Sequence, residues 1–310
     1  MQVVFLFTKT RWGVEMNTEK CVHNKRQKYT QGAVCRFCGE RFDTVKKVPI
    51  LSLNNVEVRF GRYPNRELYL PIDQLAFKDL KEGLFNIIKF NYNTNEDLVK
   101  LLILKGILKD FNTNAILYIS YFPYSRMDRV NGEYSFSLKP ICHFINSLNF
   151  WKVIVREPHS PVIGKLINNF EEDPWCLKNI KTAIELSGSS SIFFPDYGAR
   201  ERYYTNDLDM PTAYGKKKRD FKSGILSEDY TIVGDVKMDV LIVDDLCSRG
   251  GTFILATKEL HKANPYLRRV SLLVSYCEEN VFTGDIFNYI DKIYTSSESG
   301  LIHPRITLLY

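Results

Sequence analysis

From about residue 48 onward the chain alternates between short apolar runs and longer stretches whose apolar residues fall at helical spacing. VPILSL (48–53) and VEVRF (56–60) read as the two strands of a hairpin, with Asn54 and Asn55 as its turn. LFNIIKF (84–90) predicts a strand, and NEDLVKLLILKGILKDF (95–111) predicts a helix with Asn95 placed to cap it. NAILYISYF (114–122) predicts a strand, FSLKPICHFINSL (136–148) a helix, and WKVIVRE (151–157) another strand.

After a turn-rich region the same alternation returns. SSIFFPD (190–196) is a strand followed by a helix, DVLIVDD (239–245) a strand, GTFILATKELHKA (251–263) a helix and RVSLLVSY (269–276) a strand. Strand, helix, strand with connections long enough for crossovers implies parallel α/β sheets. The expected organisation is an extension over residues 1–46 and two consecutive α/β domains over 47–185 and 186–310. Ligands of such sheets bind beyond the C-terminal ends of the strands. Several strands here run into unusual polar loops at that end: YFPYSRMDR (121–129), REPHSP (156–161), FPDYGARER (194–202) and VDDLCSRGGT (243–252).

Composition adds little to this picture and removes some alternatives. The 310 residues are 45% hydrophobic and 25% charged, the balance of a globular protein with a sizeable core. Apolar runs such as 240–243 are too short to cross a bilayer. The start, MQVVFLFTKTRW, lacks the pattern of a secretory leader, so a cytoplasmic protein without a membrane partner is expected. The net charge of +6 is not gathered in a tail; its tightest cluster is Lys216, Lys217, Lys218 and Arg219, preceded by Arg200, Arg202, Arg126 and Arg129. That distribution suits a small polyanion and equally a nucleic acid surface; charge alone does not choose. Of the seven cysteines, Cys142, Cys176, Cys247 and Cys277 are expected to be small buried hydrophobes.

VDDLCSRGGT carries the most explicit chemistry. The apolar strand delivers Asp244 and Asp245 to its C-terminal end, where they can meet ligand hydroxyls or a hydrated magnesium ion. Residues 248–252 then wrap as a turn at the start of the next helix. Glycines let the main chain approach a phosphate closely, and a helix N-terminus favours an anion.

The full pattern resembles the phosphoribosyl-diphosphate signature of type I phosphoribosyltransferases and of ribose-phosphate pyrophosphokinases (PRPP synthetases). Other loops separate the two groups. YFPYSRMDR looks like the Phe-Pro-Tyr-Ala-Arg-Gln-Asp segment of the pyrophosphokinases, and RYPNRE (62–67) resembles their flag loop. REPHSP puts His159 at the family histidine, FPDYGARER keeps Asp196 and Gly198, and residues 216–220 stand where the family has its mobile catalytic loop. IVGDV (232–236) repeats a family segment just before the Asp-Asp strand. The matches are collinear over about residues 48–310.

The resemblance implies two tandem phosphoribosyltransferase-like domains and a diphosphate transfer from ATP to ribose 5-phosphate. It assigns Arg126 to the ATP phosphates, and Tyr63, Asn65 and Glu67 to adenine, reached from a neighbouring subunit of a homo-oligomer, a dimer or a hexamer. His159 and Asp196 would help hold magnesium and the substrates. Asp244, Asp245, Ser248, Arg249, Gly250, Gly251 and Thr252 would take ribose 5-phosphate. Lys217 and Arg219, or Lys216 and Lys218 in the shifted register, would stabilise transition-state charge. A nucleic acid partner is not expected.

Several positions depart from the family. Met127 stands for a glutamine, Val130 for a lysine, Ala199 for a glycine, Ser248 for an aspartate and Arg249 for a threonine. The alternatives are a phosphoribosyltransferase, which does not explain RYPNRE or YFPYSRMDR, and a weakly active regulatory subunit, which Met127, Val130 and Ser248 favour and the presence together of Lys217, Arg219, His159 and Asp196 opposes.

The first 46 residues lie outside the resemblance. Cys21-x-His23 is followed, after eleven residues, by Cys35-x-x-Cys38-Gly. Four ligands of this kind in a polar, coreless stretch predict a zinc-ribbon-like module holding structural zinc. Unrelated thiols and a redox Cys-x-x-Cys are the competing readings.

Overall fold

Two short strands, β1 (Gly32–Val34) and β2 (Arg41–Asp43), pair antiparallel on either side of the segment that holds Cys35 and Cys38. The expected zinc ligands Cys21, His23, Cys35 and Cys38 lie outside the described residues. Those are 32–34, 41–43, 48–78, 80, 85–130, 132, 134–219 and 226–310 of this computed structural model.

The first sheet opens with the predicted hairpin. Strands β3 (Leu51–Leu53) and β4 (Val56–Glu57) are joined by Asn54 and Asn55 with φ of 51° and 69°. Both values lie in the left-handed region that a tight hairpin turn needs and asparagine accepts. A second hairpin, β5 (Gly61–Arg62) with β6 (Leu68–Tyr69), projects from the sheet, and α1 (Leu75–Lys78) follows it. The sheet is completed by β7 (Phe85–Asn91), β8 (Asn114–Tyr121), β9 (Lys152–Arg156) and β10 (Phe170–Asp173), in the order β10-β9-β8-β7-β3-β4. The four later strands run parallel, while β3 meets β7 antiparallel.

Helices α2 (Asn95–Asp110), α3 (Leu138–Ser147) and α4 (Val162–Leu166) connect these strands. Asn95 is not the cap of α2. That position is Thr94, whose backbone N–H donates to Oδ2 of Asp97 at 2.8 Å, the reciprocal half of a capping box. Asn95 instead accepts from the hydroxyls of Tyr92 and Tyr124 through Oδ1, at 2.8 and 2.6 Å. The core of this half joins Leu51, Ile88, Phe90, Leu101, Leu104, Leu117 and Ile145 in one apolar cluster.

The second sheet begins with α5 (Trp175–Ser187), which packs on β14 and β15 below, and then β11 (Ser191–Phe194) and α6 (Tyr197–Tyr203). A hairpin of β12 (Thr212–Arg219) and β13 (Leu226–Gly234) leads to β14 (Asp239–Cys247), α7 (Gly251–Ala263) and β15 (Arg269–Cys277). Strands β16 (Lys292–Ser296) and β17 (Ile306–Leu309) finish the order β13-β12-β11-β14-β15-β16-β17. All neighbours except the β12–β13 pair are parallel.

This sheet is buried on both faces. Along β14, Val240 and Ile242 enter the cluster with Phe253 and Leu260 of α7, while Leu241 and Val243 enter the opposite one with Trp175, Ile180 and Tyr203. A strand covered twice reads as an unbroken apolar run, which is why DVLIVDD shows no alternation. No helix of the described residues is long and apolar enough to cross a membrane.

Candidate active site

The polar loops singled out in the sequence converge at the C-terminal ends of the two sheets. One cavity of about 630 Å³ is lined by Arg126, Arg129, His159, Asp196, Asp244, Asp245 and the turn from Ser248 to Phe253. Strand β14 runs two residues further than the paired aspartates suggest, to Cys247, so the turn proper spans Ser248 to Gly250.

The two glycines of that turn have different reasons. Gly250 holds φ of 82°, and a Cβ there would lie 2.4 Å from Cδ1 of Ile286. Both backbone conformation and packing exclude a side chain. Gly251 opens α7, and a Cβ on it would meet nothing within 4 Å. Its missing side chain leaves the helix N-terminus accessible from the cavity, as close approach of a phosphate requires.

Asp245 is buried and held from two sides. Its Oδ2 lies 2.6 Å from Nδ1 of His159 and 3.2 Å from Nη1 of Arg202. Burial alone would raise its pKa, but the hydrogen bond and charge of His159, with Arg202, keep it below the usual carboxylate value. An ionised carboxylate only accepts, so Nδ1 of His159 donates, which in the neutral ring leaves Nε2 as the acceptor. Arg202 also donates through Nη2 to the carbonyl oxygen of His159 at 3.0 Å, fixing the loop that carries the histidine. Asp244 goes the other way: burial, then the neighbouring Asp245, push its carboxyl well above the usual range. Its Oδ1 accepts from the backbone N–H of Asp245 at 2.9 Å.

Asp196 is the N-cap of α6, where its Oδ1 accepts from the N–H of Ala199 at 2.9 Å. Gly198, Ala199 and Arg202 line the cavity from one face of that helix, as their spacing allows. Behind this wall Glu157 is buried. It accepts from the hydroxyl of Tyr203 at 2.6 Å and from the N–H of Cys176 at 3.2 Å, and burial pushes its carboxyl up to about 7.

Among the described residues, no group of three or more His, Cys, Asp or Glu is arranged to hold a metal ion alone. The carboxylates of Asp196 and Asp244, in the same cavity, nevertheless fit magnesium. Magnesium prefers oxygen donors, keeps several waters and takes only one or two protein carboxylates beside a substrate phosphate. His159, already bonded to Asp245, suits an outer position.

A second cleft of about 570 Å³ adjoins the first. Tyr92, Asn93, Tyr121, Tyr124, Met127, Tyr276, Glu278, Glu279 and Asn280 line it, and Arg126 belongs to both. Tyr121 and Tyr276 stack across the seam between the sheets, with ring centroids 4.9 Å apart and planes 15° from parallel. Arg126 forms an ion pair with Glu278, and its Nε donates to the hydroxyl of Tyr121 at 3.3 Å.

Not every predicted residue is in these cavities. Tyr63, Asn65 and Glu67 sit in the exposed loop between β5 and β6 and line neither. The loop is internally ordered: Tyr63 N–H donates to the carbonyl of Glu67 at 2.9 Å, and Tyr63 packs on Tyr69. Arg62 pairs with both carboxylate oxygens of Glu96, at 2.6 and 2.7 Å. Lys216, Lys217, Lys218 and Arg219 end strand β12, where Lys217 faces Tyr230 and Arg219 faces Leu226 with a register shift between them.

The sequence assigns nothing to Tyr276 or Glu278, and it gives Arg202 only as part of the dispersed positive charge. Arg202 carried a signal, since it stands four residues after Gly198 on a helical pattern. Tyr276 lies near the end of the parallel strand β15 and Glu278 directly follows it, at a strand end that the polar loops of the sequence do not mark.

No protein-family model matches the chain. It is 28% identical over 222 residues to the ribose-phosphate pyrophosphokinase of Saccharolobus solfataricus, covering 67% of this chain and 73% of that one. With the ribose-phosphate pyrophosphokinase of Campylobacter jejuni it shares 26% identity over 283 residues, 81% of this chain and 84% of the relative. Its fold is similar to that of phosphoribosylpyrophosphate synthetase from Mycobacterium smegmatis, with a TM-score of 0.64 over 81% of this chain and 85% of the other, at 16% identity. Over most of its length the chain is similar in sequence to ribose-phosphate pyrophosphokinases, and its fold is like that of a phosphoribosylpyrophosphate synthetase.

Proposed function

We propose that the protein is a ribose-phosphate diphosphokinase, which moves a diphosphoryl group from ATP to the anomeric hydroxyl of ribose 5-phosphate and releases AMP. The observation that carries this reading is the meeting of two unlike cavities at one arginine. One offers paired carboxylates and a glycine turn at a helix N-terminus; the other offers tyrosine faces; Arg126 lines both.

Ribose 5-phosphate fits the first cavity, with Asp244 and Asp245 toward its hydroxyls and Ser248, Arg249, Gly250, Gly251 and Thr252 around its phosphate. Ser248 brings a hydrogen bond but no charge to the sugar. The nucleoside of ATP fits the tyrosine cleft, whose size suits a small-molecule site. Its phosphates then cross Arg126, a charge-matched donor. Tyr63, Asn65 and Glu67, on a projecting hairpin away from the cavities of their own chain, would cover the adenine of a neighbouring subunit, and this implies a homo-oligomer.

Magnesium, held from Asp196 and Asp244 with His159 in support, would neutralise phosphate charge. In the reaction the anomeric oxygen bonds to the β-phosphorus while the bond to the oxygen bridging α and β breaks, so AMP leaves with that oxygen. His159, oriented by Asp245, supplies Nε2 to accept the proton of the sugar hydroxyl. Lys217 and Arg219, on the β12–β13 hairpin, would add positive charge in the transition state. Most of the rate comes from positioning and electrostatics, as in phosphoryl transfer generally.

Incubating the purified protein with ATP, magnesium and ribose 5-phosphate should yield AMP and phosphoribosyl diphosphate in equal amounts. No AMP above the ATP-only control, with the protein folded, overturns the assignment. A requirement for a nucleobase acceptor with release of pyrophosphate would mark a phosphoribosyltransferase instead.

For the N-terminal extension we propose structural zinc on Cys21, His23, Cys35 and Cys38. The antiparallel strands flanking Cys35 and Cys38 are consistent with this reading. Metal analysis of wild type against the Cys35→Ser, Cys38→Ser double variant decides it, and equal zinc content refutes it.

A further inference from the structure

We propose that Glu278 is a competing anion for the diphosphate donor: it pairs with the Arg126 guanidinium and must yield it to the triphosphate. The idea rests on Arg126 being a phosphate contact, and it adds a residue that sets donor affinity. Arg126 comes from the loop after β8 in the first sheet, and Glu278 from the residue after β15 in the second, so their ion pair closes the seam between the two cavities.

The two partners are not equally held. Glu278 is mostly buried, and its backbone N–H donates to the carbonyl oxygen of Cys247 at 2.8 Å, the last residue of the strand that presents Asp244 and Asp245. The preceding Cys277 N–H donates to Oγ of Ser299 at 3.0 Å. The carboxylate is thus set on the same framework as the phosphate turn. Arg126 has a half-exposed side chain, and its other hydrogen bond is the 3.3 Å contact from Nε to the Tyr121 hydroxyl. The arginine is therefore the partner free to change position.

Glu278 lines the tyrosine cleft together with Glu279, while Asp244 and Asp245 line the neighbouring cavity. A polyphosphate entering here meets carboxylates on both sides, and its attraction comes from Arg126, Arg129 and Arg202. Each arginine already neutralised by a carboxylate costs the incoming anion a bond that has to be exchanged rather than simply formed. Glu278 does this to the arginine nearest the tyrosine cleft.

The test compares wild type with Glu278→Gln and Glu278→Asp. Binding of inorganic tripolyphosphate is measured by calorimetry, and KM is measured separately for ATP and for ribose 5-phosphate. Glu278→Gln should bind tripolyphosphate more tightly and lower KM for ATP, each by roughly three- to ten-fold, the range of a partly exposed ion pair with charged partners. Glu278→Asp should fall between the two, and KM for ribose 5-phosphate should stay unchanged. Tripolyphosphate affinity that is unchanged or weaker in Glu278→Gln, at equal melting temperature, overturns the proposal; weaker binding would mean that Glu278 positions Arg126. If the wild type makes no phosphoribosyl diphosphate at all, the functional reading fails while the tripolyphosphate comparison still reports on Glu278.

Discussion

Nδ1 of His159 lies 2.6 Å from Oδ2 of Asp245, joining the loop after the last long strand of one sheet to the central strand of the other. The bond orients an imidazole at a cavity wall and gives the carboxylate a partner in a buried position. His159→Ala should lower kcat by about 10²–10⁴, the range of a positioned acid–base group. The melting temperature should fall as well, because the buried Asp245 carboxylate loses one of its two side-chain partners. Steady-state rates beside a thermal melt check both halves, and a full-rate variant would remove His159 from the chemistry.

The adjacent aspartates should respond in opposite ways to the same substitution. Asp245→Asn takes the charge from beneath His159 and Arg202, and should cost about 1–3 kcal/mol of stability as well as activity. Asp244→Asn removes a carboxyl that its buried surroundings already push toward the neutral form, so stability should hold or rise while KM for ribose 5-phosphate increases. Denaturant unfolding of the two variants decides; equal losses would mean that the two carboxylates share one environment.

Gly250 and Gly251 separate folding from binding. Gly250→Ala meets a φ of 82° and the Ile286 side chain, and should destabilise by about 1–3 kcal/mol. Gly251→Ala enters open space, so it should melt like wild type yet raise KM for ribose 5-phosphate by crowding the helix N-terminus. An unaltered KM for Gly251→Ala would place the phosphate elsewhere.

His303 should make the fold acid-sensitive. Burial first, then the charges of Arg305 and Lys292, push its imidazole down to about 4, and its Nδ1 accepts the backbone N–H of Arg305 at 3.1 Å. Its ring stacks on Phe287 at 4.3 Å. The unfolded chain therefore binds this proton more readily than the fold does. Stability from this group is complete above an ordinary histidine value near 6.5 and is lost as pH falls from there toward about 4. His303→Asn keeps an acceptor for Arg305 and should flatten that part of the profile. Urea midpoints at pH 4.5 and 7.5 test it, and an equal acid loss in both proteins would assign the sensitivity to other groups.

Much of this architecture could be read directly from the chain. The strands around 114–121, 152–156 and 269–277 and helix Gly251–Ala263 fall where periodicity predicts them, because apolar runs and helical spacing are local properties of neighbouring residues. Paired aspartates followed by two glycines announced a polyanion site for the same reason: strand, turn and helix start are contiguous. Even so, the cap of α2 is Thr94 and not the expected Asn95. Its side chain serves two tyrosines, one of them 29 residues away, and no local pattern records that.

The chain by itself thus determined two α/β sheets, the glycine turn and the carboxylates at a strand end. Tertiary structure decided the partners: Asp245 with His159 and Arg202, Tyr121 with Tyr276, Arg126 with Glu278. His159 with Asp245, Tyr121 with Tyr276 and Arg126 with Glu278 span the two sheets, 86 residues apart in the first case and 152 in the last, while Arg202 reaches Asp245 from α6 of the same sheet, 43 residues away. Secondary structure follows from steric and apolar preferences within a few residues. Ionisation and hydrogen bonding in a cavity depend on which distant groups burial brings together, and only the folded chain specifies them.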